Sequence, residues 1–133
     1  MKHKDIIIFK PIGVLHSPFK TLEETPKWYT LSDAEGEIEI FPEYEEGLYQ
    51  IERYNELDVL YYFHLAKRNL LKVKPPHAGE FRGVFAARSP HRPNPIALST
   101  VKLIKREGRF LKVVGIDALD GTPVLDIKPH KEE

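Results

Sequence analysis

From Gly36 to Ile127 the chain is a series of short β-prone runs, most of them bounded by proline or glycine, with no long amphipathic helical repeat. Gly36–Phe41 (GEIEIF) sets Ile38 and Ile40 against Glu37 and Glu39, the two-residue period of a strand with one buried face, and Pro42 ends it. Leu57–Leu65 is continuously aliphatic and aromatic, which predicts a strand covered on both sides. Ile96–Ile104 and Phe110–Ile116 flank a corner at Glu107-Gly108 and predict an antiparallel hairpin. Asp120-Gly121 predicts another tight turn, before a short final β segment through Ile127. At the other end, Asp5–His16 reads as an early β segment interrupted at Pro11, with Gly13 allowing a bend or bulge. The connecting stretches are a long loop over Leu22–Ala34, a short helical turn in Gly47–Tyr54, and a basic connector over Lys67–Lys74 stiffened by Pro75-Pro76. Such a pattern predicts an all-β fold, a compact irregular β-barrel with short helical turns rather than a doubly wound sheet. Consistently, no glycine-rich strand-to-helix fingerprint with a downstream acidic partner occurs.

A chain of 133 residues fits one domain, here residues 1–133, and can bury a substantial core. With 41% hydrophobic and 30% charged residues it has the composition of a folded protein rather than a disordered one. Its longest strongly apolar run, around Val59–Leu65, is far too short for a membrane helix, and no signal-peptide pattern opens the chain. These features lead us to expect a cytoplasmic protein with no membrane partner. The absence of cysteine excludes disulfides and thiolate chemistry. Glu43, Glu45 and Glu46 read as a solvated rim rather than a metal site, because no His or Cys cluster at ligand spacing accompanies them.

The formal charge is zero, yet residues 1–65 carry a net −7, residues 66–113 a net +10 and residues 114–133 a net −3. Either the acidic and basic thirds fold against each other and cancel, or a positive face remains that can attract a polyanion. The basic third contains Gly79–Ser99 (GEFRGVFAARSPHRPNPIALS), which begins like a strand at Gly83–Ala87 and then meets Pro90, Pro93 and Pro95. Arg88–Ile96 therefore reads as a rigid loop, presenting Arg88, Arg92, His91, Ser89 and Asn94 within nine residues. A stiff polar loop loses little entropy on gripping a ligand, and arginine favours anionic or planar partners.

GVFAARSPHRPNPIALS, followed by DALDGTPVLDIKPH at 117–130, closely resembles the two signature motifs of the S-adenosylmethionine-dependent tRNA methyltransferases that act on N6 of threonylcarbamoyladenosine at position 37, a TsaA-like β-barrel family. The resemblance continues through PIGVLHSPF at 11–19 and GEIEIFPEYEEGL at 36–48, so it spans nearly the whole chain. It implies a methyltransferase with S-adenosyl-L-methionine as cofactor, tRNA as partner and a homodimeric assembly.

Residue by residue, the resemblance places the cofactor near Trp28, Tyr29 and Thr30, which either cover an adenosyl group or anchor their loop on the core. It adds His64 and Leu65, with His64 either bonding the cofactor's polar edge or satisfying a core acceptor. Arg88 carries the strongest assignment, to the cofactor carboxylate or the modified adenosine. Leu98 supplies apolar contact, and Val114, Gly115, Ile116 and Asp117 surround the cofactor, with Asp117 binding a ribose or charged methionine group or else capping a turn. His91 and Arg92 are expected to contact RNA, Asn94 to brace the loop beside the substrate, and Asp126 and Lys128 to organise loops or reach substrate. No catalytic base is assigned, and no metal.

The chain departs from the family pattern at Ala97, commonly glycine, and at His130, often tyrosine. It also lacks after Glu133 the longer C-terminal portion of many relatives, so substrate docking is expected to differ. The alternatives are a methyltransferase for another RNA or metabolite, and a noncatalytic RNA-binding barrel.

Overall fold

The computed structural model of the chain describes residues 2–26, 32–66, 70–75 and 79–131. They contain β1 (Gly13–His16), β2 (Glu35–Ile40), β3 (Glu56–Tyr62), β4 (Lys72–Val73), β5 (Arg82–Gly83), β6 (Ile96–Glu107), β7 (Phe110–Val114) and β8 (Pro123–Pro129). Six of these close a barrel in the order β1-β2-β7-β6-β3-β8, and β4 and β5 form a separate two-stranded sheet. Every ladder is antiparallel.

Alternation along each strand sorts the side chains. On β3, Leu57, Val59 and Tyr61 point inward and are fully buried, while Glu56, Asp58, Leu60 and Tyr62 occupy the outer face. Register sets Leu57 opposite Val101 and Val59 opposite Ser99 on β6, and β2, β7 and β8 add Ile38, Leu111, Val113 and Val124 to the same interior. Each fully buried aliphatic side chain favours the closed form by about 1.5–3 kcal/mol. The ring is small, so its strands must bend sharply. Irregularities at Leu60/Tyr61 between β3 and β8, and at Leu103/Lys105 between β6 and β7, supply the extra curvature. At Gly13 the backbones of β1 and β2 approach so closely that a Cβ would collide with the Glu39 carbonyl.

The barrel, the strands centred on 36–41, 57–62 and 123–127, and the hairpin turning at Gly108 agree with the sequence reading; Gly108 has the left-handed φ of 60° that such a corner requires. Short 3-10 turns occur at Pro42–Leu48 and Ile51–Arg53, and the first drops Leu48 into the core.

Three details differ. The β segment expected from Asp5 begins only at Gly13, because its partner β2 ends opposite it at Ile40 and Pro42 starts a 3-10 turn; Ile6, Ile7, Ile8 and Phe9 stay exposed. Gly83–Ala87 is a strand only at its start, and Val84–Ala86 winds into a 3-10 turn with Val84 buried. The described end of the basic connector is not mere linker, since Lys72–Val73 pairs with Arg82–Gly83.

Candidate functional site

The register brings three chain segments to one end of the barrel: the residues after β3, those before β6, and the β7–β8 connection. Tyr62 pairs with Ile96, and Tyr61 with Val124 near the start of β8. Phe63 N–H then donates to Pro95 O at 2.9 Å, tying the first two segments together. Across this end lies a cavity of about 650 Å³, bordered by β4 and by Phe81 just ahead of β5. Phe63, Leu65, Leu70 and Phe81 give it apolar walls, and His64, Lys72, Lys74, Arg88, His91 and Asp117 give it a polar rim and floor. Its size and mixed lining suit a small organic ligand. A second hollow, about 460 Å³, lies beside His16, Lys20 and Asp120, but it is shallower and lacks aromatic walls.

Asp117 follows β7 through a backbone reversal at Gly115, whose φ of 107° disfavours any side chain. Ile116 N–H and Gly115 N–H both donate to Ala34 O, and Ser32 Oγ donates to Ile116 O at 2.6 Å, which locks the approach to Asp117. Ser99 Oγ donates to Asp117 Oδ1 at 2.5 Å. Burial pushes the Asp117 carboxyl above its usual range; the Ser99 bond, a backbone bond and the Arg88 charge oppose that shift without cancelling it.

Arg88 stands on the loop before β6, and its Nη2 donates to Leu98 O at 2.7 Å. Arg92 turns back on its own loop, with Nη1 donating to Ala87 O and Ser89 O, both at 3.0 Å. That clamp, together with His91 N–H donating to Ser89 Oγ at 3.2 Å, fixes the proline-rich segment without a ladder. Asn94 is exposed, and its carbonyl accepts from Ile96 N–H at 2.7 Å.

The structure thus gathers His64, Leu65, Arg88, His91 and Asp117 around one cavity. Trp28, Tyr29 and Thr30 lie outside the described residues, although Thr25 and Pro26 just ahead of them border the cavity. Val114 and Gly115 lie behind Asp117, and the Ile116 side chain is wholly in the core, so its offerings to a ligand are backbone atoms. Leu98 sits on the outer wall, 47% exposed, opposite Leu60. Asp126 and Lys128 share that outer wall, where they form an ion pair at 2.7 Å. His130 Nδ1 and Thr100 Oγ1 meet the same Asp58 oxygen nearby, at 3.0 and 2.7 Å.

Lys72, Lys74, Phe63 and Phe81 were not singled out in the sequence. Lys74 Nζ stands 5.9 Å from the centre of the Phe81 ring, a cation over an aromatic face. In the sequence Lys72 and Lys74 belong to a basic connector and Phe63 to an apolar run, neither of which by itself points to a ligand. No group of His, Cys, Asp and Glu among the described residues could hold a metal ion.

An antiparallel barrel whose one open end joins aromatic walls, an arginine and a partly buried carboxylate defines a class of small β-barrel binding domains suited to a ligand with a planar ring and charged groups. Residues 14–133 match the family described as tRNA-methyltransferase O N-terminal domain, and the chain belongs to that family. An S-adenosyl-L-methionine-binding protein of Archaeoglobus fulgidus is 50% identical over 127 residues, covering 96% of this chain and 91% of its own length. A second, probable one from the same organism is 51% identical, but the chain covers 94% of itself and only 34% of that protein. The human tRNA (adenine(37)-N6)-methyltransferase is 39% identical over 137 residues, spanning 96% of this chain and 31% of the human one. Among solved structures, TrmO from Pseudomonas aeruginosa superposes with a TM-score of 0.79 at 36% identity, covering 96% of this chain and 57% of that one.

Proposed function

We propose that this chain transfers the methyl group of S-adenosylmethionine to N6 of threonylcarbamoyladenosine at position 37 of tRNA. The observation that carries the reading is that the two motifs of family resemblance, at 83–99 and 117–130, meet at one cavity through Arg88 and Asp117. Relatives named for binding S-adenosylmethionine and for methylating adenine 37 of tRNA support the cofactor and the acceptor.

The residues present fit such a cofactor. Leu65, Phe63 and Phe81 offer apolar surface for a purine, Arg88 a planar cation for a carboxylate, and Asp117 an acceptor for a ribose hydroxyl or an ammonium. When bound, the cofactor supplies an electrophilic methyl group on a sulfonium. The chain's part is to hold that methyl and the acceptor nitrogen in one orientation, which converts an encounter into an oriented step. The loop clamped by Arg92 and the ladder-fixed ends of β3 and β6 give the rigidity this needs. His91, with Lys72 and Lys74 at the cavity, forms the surface we assign to the RNA backbone, and Arg92 supports it from the loop.

The outer patch of Leu60, Tyr62, Ile96 and Leu98 supports a homodimer, with Asp126 and Lys128 at its border reaching substrate from the neighbouring copy. A cytoplasmic location follows from a tRNA substrate. Among the described residues, no helix is long and apolar enough to cross a membrane.

The test is incubation with methyl-labelled cofactor and tRNA with or without threonylcarbamoylation, followed by nucleoside mapping. The doubly modified adenosine is expected only in the threonylcarbamoylated pool. Robust methylation of unmodified tRNA, or of a different nucleoside while the proposed substrate stays inert, overturns the acceptor assignment.

A further inference from the structure

Tyr61 Oη is the buried side-chain polar atom that finds no hydrogen-bond partner among the described residues. Its ring is fully enclosed in the core. A phenylalanine would fill the same space without desolvating a hydroxyl, so packing does not account for the oxygen. Its surroundings do. Tyr61 pairs with Ala97, and Ser99, two residues along β6, shares the inner face. Ser99 in turn donates to Asp117 Oδ1 at the cavity. Both the Asp117 charge and the Ser99 hydroxyl act on the Tyr61 phenol, which burial keeps protonated.

We propose that Tyr61 and Ser99 are positioning residues for Asp117, a pair of hydroxyls behind the cavity wall that orients its carboxylate and stabilises its charge for a donor group of an adenosyl ligand. The proton directions are consistent. Ser99 gives its hydrogen to Asp117, so its oxygen is the acceptor left facing the otherwise unpartnered Tyr61 O–H, its diagonal neighbour on the inner face; a small shift that closes that gap would let the second bond strengthen the first. With Oδ1 held by Ser99, the second carboxylate oxygen is the one that meets the ligand. The inference rests on the cofactor reading above, and adds to it the two residues that prepare its acceptor.

Other charged or titratable groups share the cavity with Asp117: Arg88 and His91 from the loop before β6, His64 after β3, and Lys72 and Lys74 at β4. The readout is therefore taken at the Asp117 carboxyl carbon itself, by carbon-13 NMR through a pH titration of the ligand-free protein. Wild type, Tyr61→Phe, Ser99→Ala and Ser99→Thr are compared. Ser99→Ala is expected to raise the Asp117 midpoint by about one pH unit, Tyr61→Phe by less in the same direction, and Ser99→Thr to restore it. Tyr61→Phe keeps the buried ring and should fold as wild type does. In parallel, calorimetry with S-adenosylhomocysteine should show affinity for Ser99→Ala falling about tenfold per unit of midpoint shift below the wild-type midpoint, and recovering above both midpoints. An unchanged Asp117 midpoint in Tyr61→Phe, or an affinity loss equal at all pH values, overturns the proposal. Absence of S-adenosylhomocysteine binding by wild type would overturn the cofactor reading instead, while the carboxyl midpoints still decide whether the hydroxyl pair acts on Asp117.

Discussion

Arg88 performs two tasks with one guanidinium. Its Nη2 fastens the loop to Leu98 O, and its charge acts on Asp117 across the cavity. Arg88→Ala is expected to weaken cofactor binding by about 1.5–3 kcal/mol, the range for a hydrogen bond to a charged group, measured by calorimetry on protein shown to be folded by circular dichroism. Arg88→Lys keeps the charge but not the planar fork, and should recover only part of the loss. Glu39 contributes to acid stability. Glu39 bonds His16 at 2.8 Å and Arg109 at 2.9 Å, and these two bonds hold its carboxyl below the ordinary value of 4.5. The folded chain therefore binds fewer protons there than the unfolded chain, and the stabilisation holds above about pH 4.5 and is lost as the pH falls through the lowered value. Glu39→Gln should accordingly melt earlier than wild type at neutral pH, and the gap should close on acidification.

At the scale of elements, the β1–β2 pairing leaves less room for a Cβ at Gly13 than any other glycine of the described residues has. Gly13→Ala places a methyl against the Glu39 carbonyl, a backbone atom that cannot swing aside, and should cost about 1–3 kcal/mol in urea denaturation. What the sequence revealed of these elements follows from how local each signal is. Ile38 and Ile40 alternate with glutamates, and Glu107-Gly108 marks its own turn, so β2 and the β6–β7 hairpin could be read from a few neighbouring residues. The two-residue β4 and β5 have no period to detect, and Ile6–Phe9 is β-prone in composition yet finds no ladder because β2 ends opposite Gly13. The site divides in the same way. Arg88, His91, Ser99 and Asp117 stand inside long motifs, whereas Tyr61 joins them only through the pairing of β3 with β6 and Lys72 through the small β4–β5 sheet, and Tyr61 by itself reads as one more core aromatic.

At the scale of the whole molecule, the basic middle of the chain is split in two. Lys105, Arg106 and Arg109 on the hairpin pair with Glu107, Glu52 and Glu39, so that part is largely cancelled by local and acidic-third partners. Lys72, Lys74 and Arg88 gather instead at the cavity, which keeps a positive end on a chain of zero formal charge. Lys72→Ala with Lys74→Ala should weaken tRNA binding and reduce the slope of log affinity against log salt by about one to two, with little change in S-adenosylhomocysteine affinity. A filter-binding salt series together with calorimetry checks both parts.

Closure of the ring also sets an order of events in time. β6 and β7 are sequence neighbours and can zip from Gly108 within microseconds, but the second edge of β1, beyond its pairing with β2, must wait for β8, since Gly13 pairs with Val124. The seam that seals the barrel joins segments more than a hundred residues apart, so its loop-closure entropy is met before most of its contacts are made. Refolding should therefore be slow for a chain of this size. During synthesis β1 and β3 each expose an open edge until β8 has left the ribosome, and that interval is when the nascent chain is most prone to pair with the wrong strand.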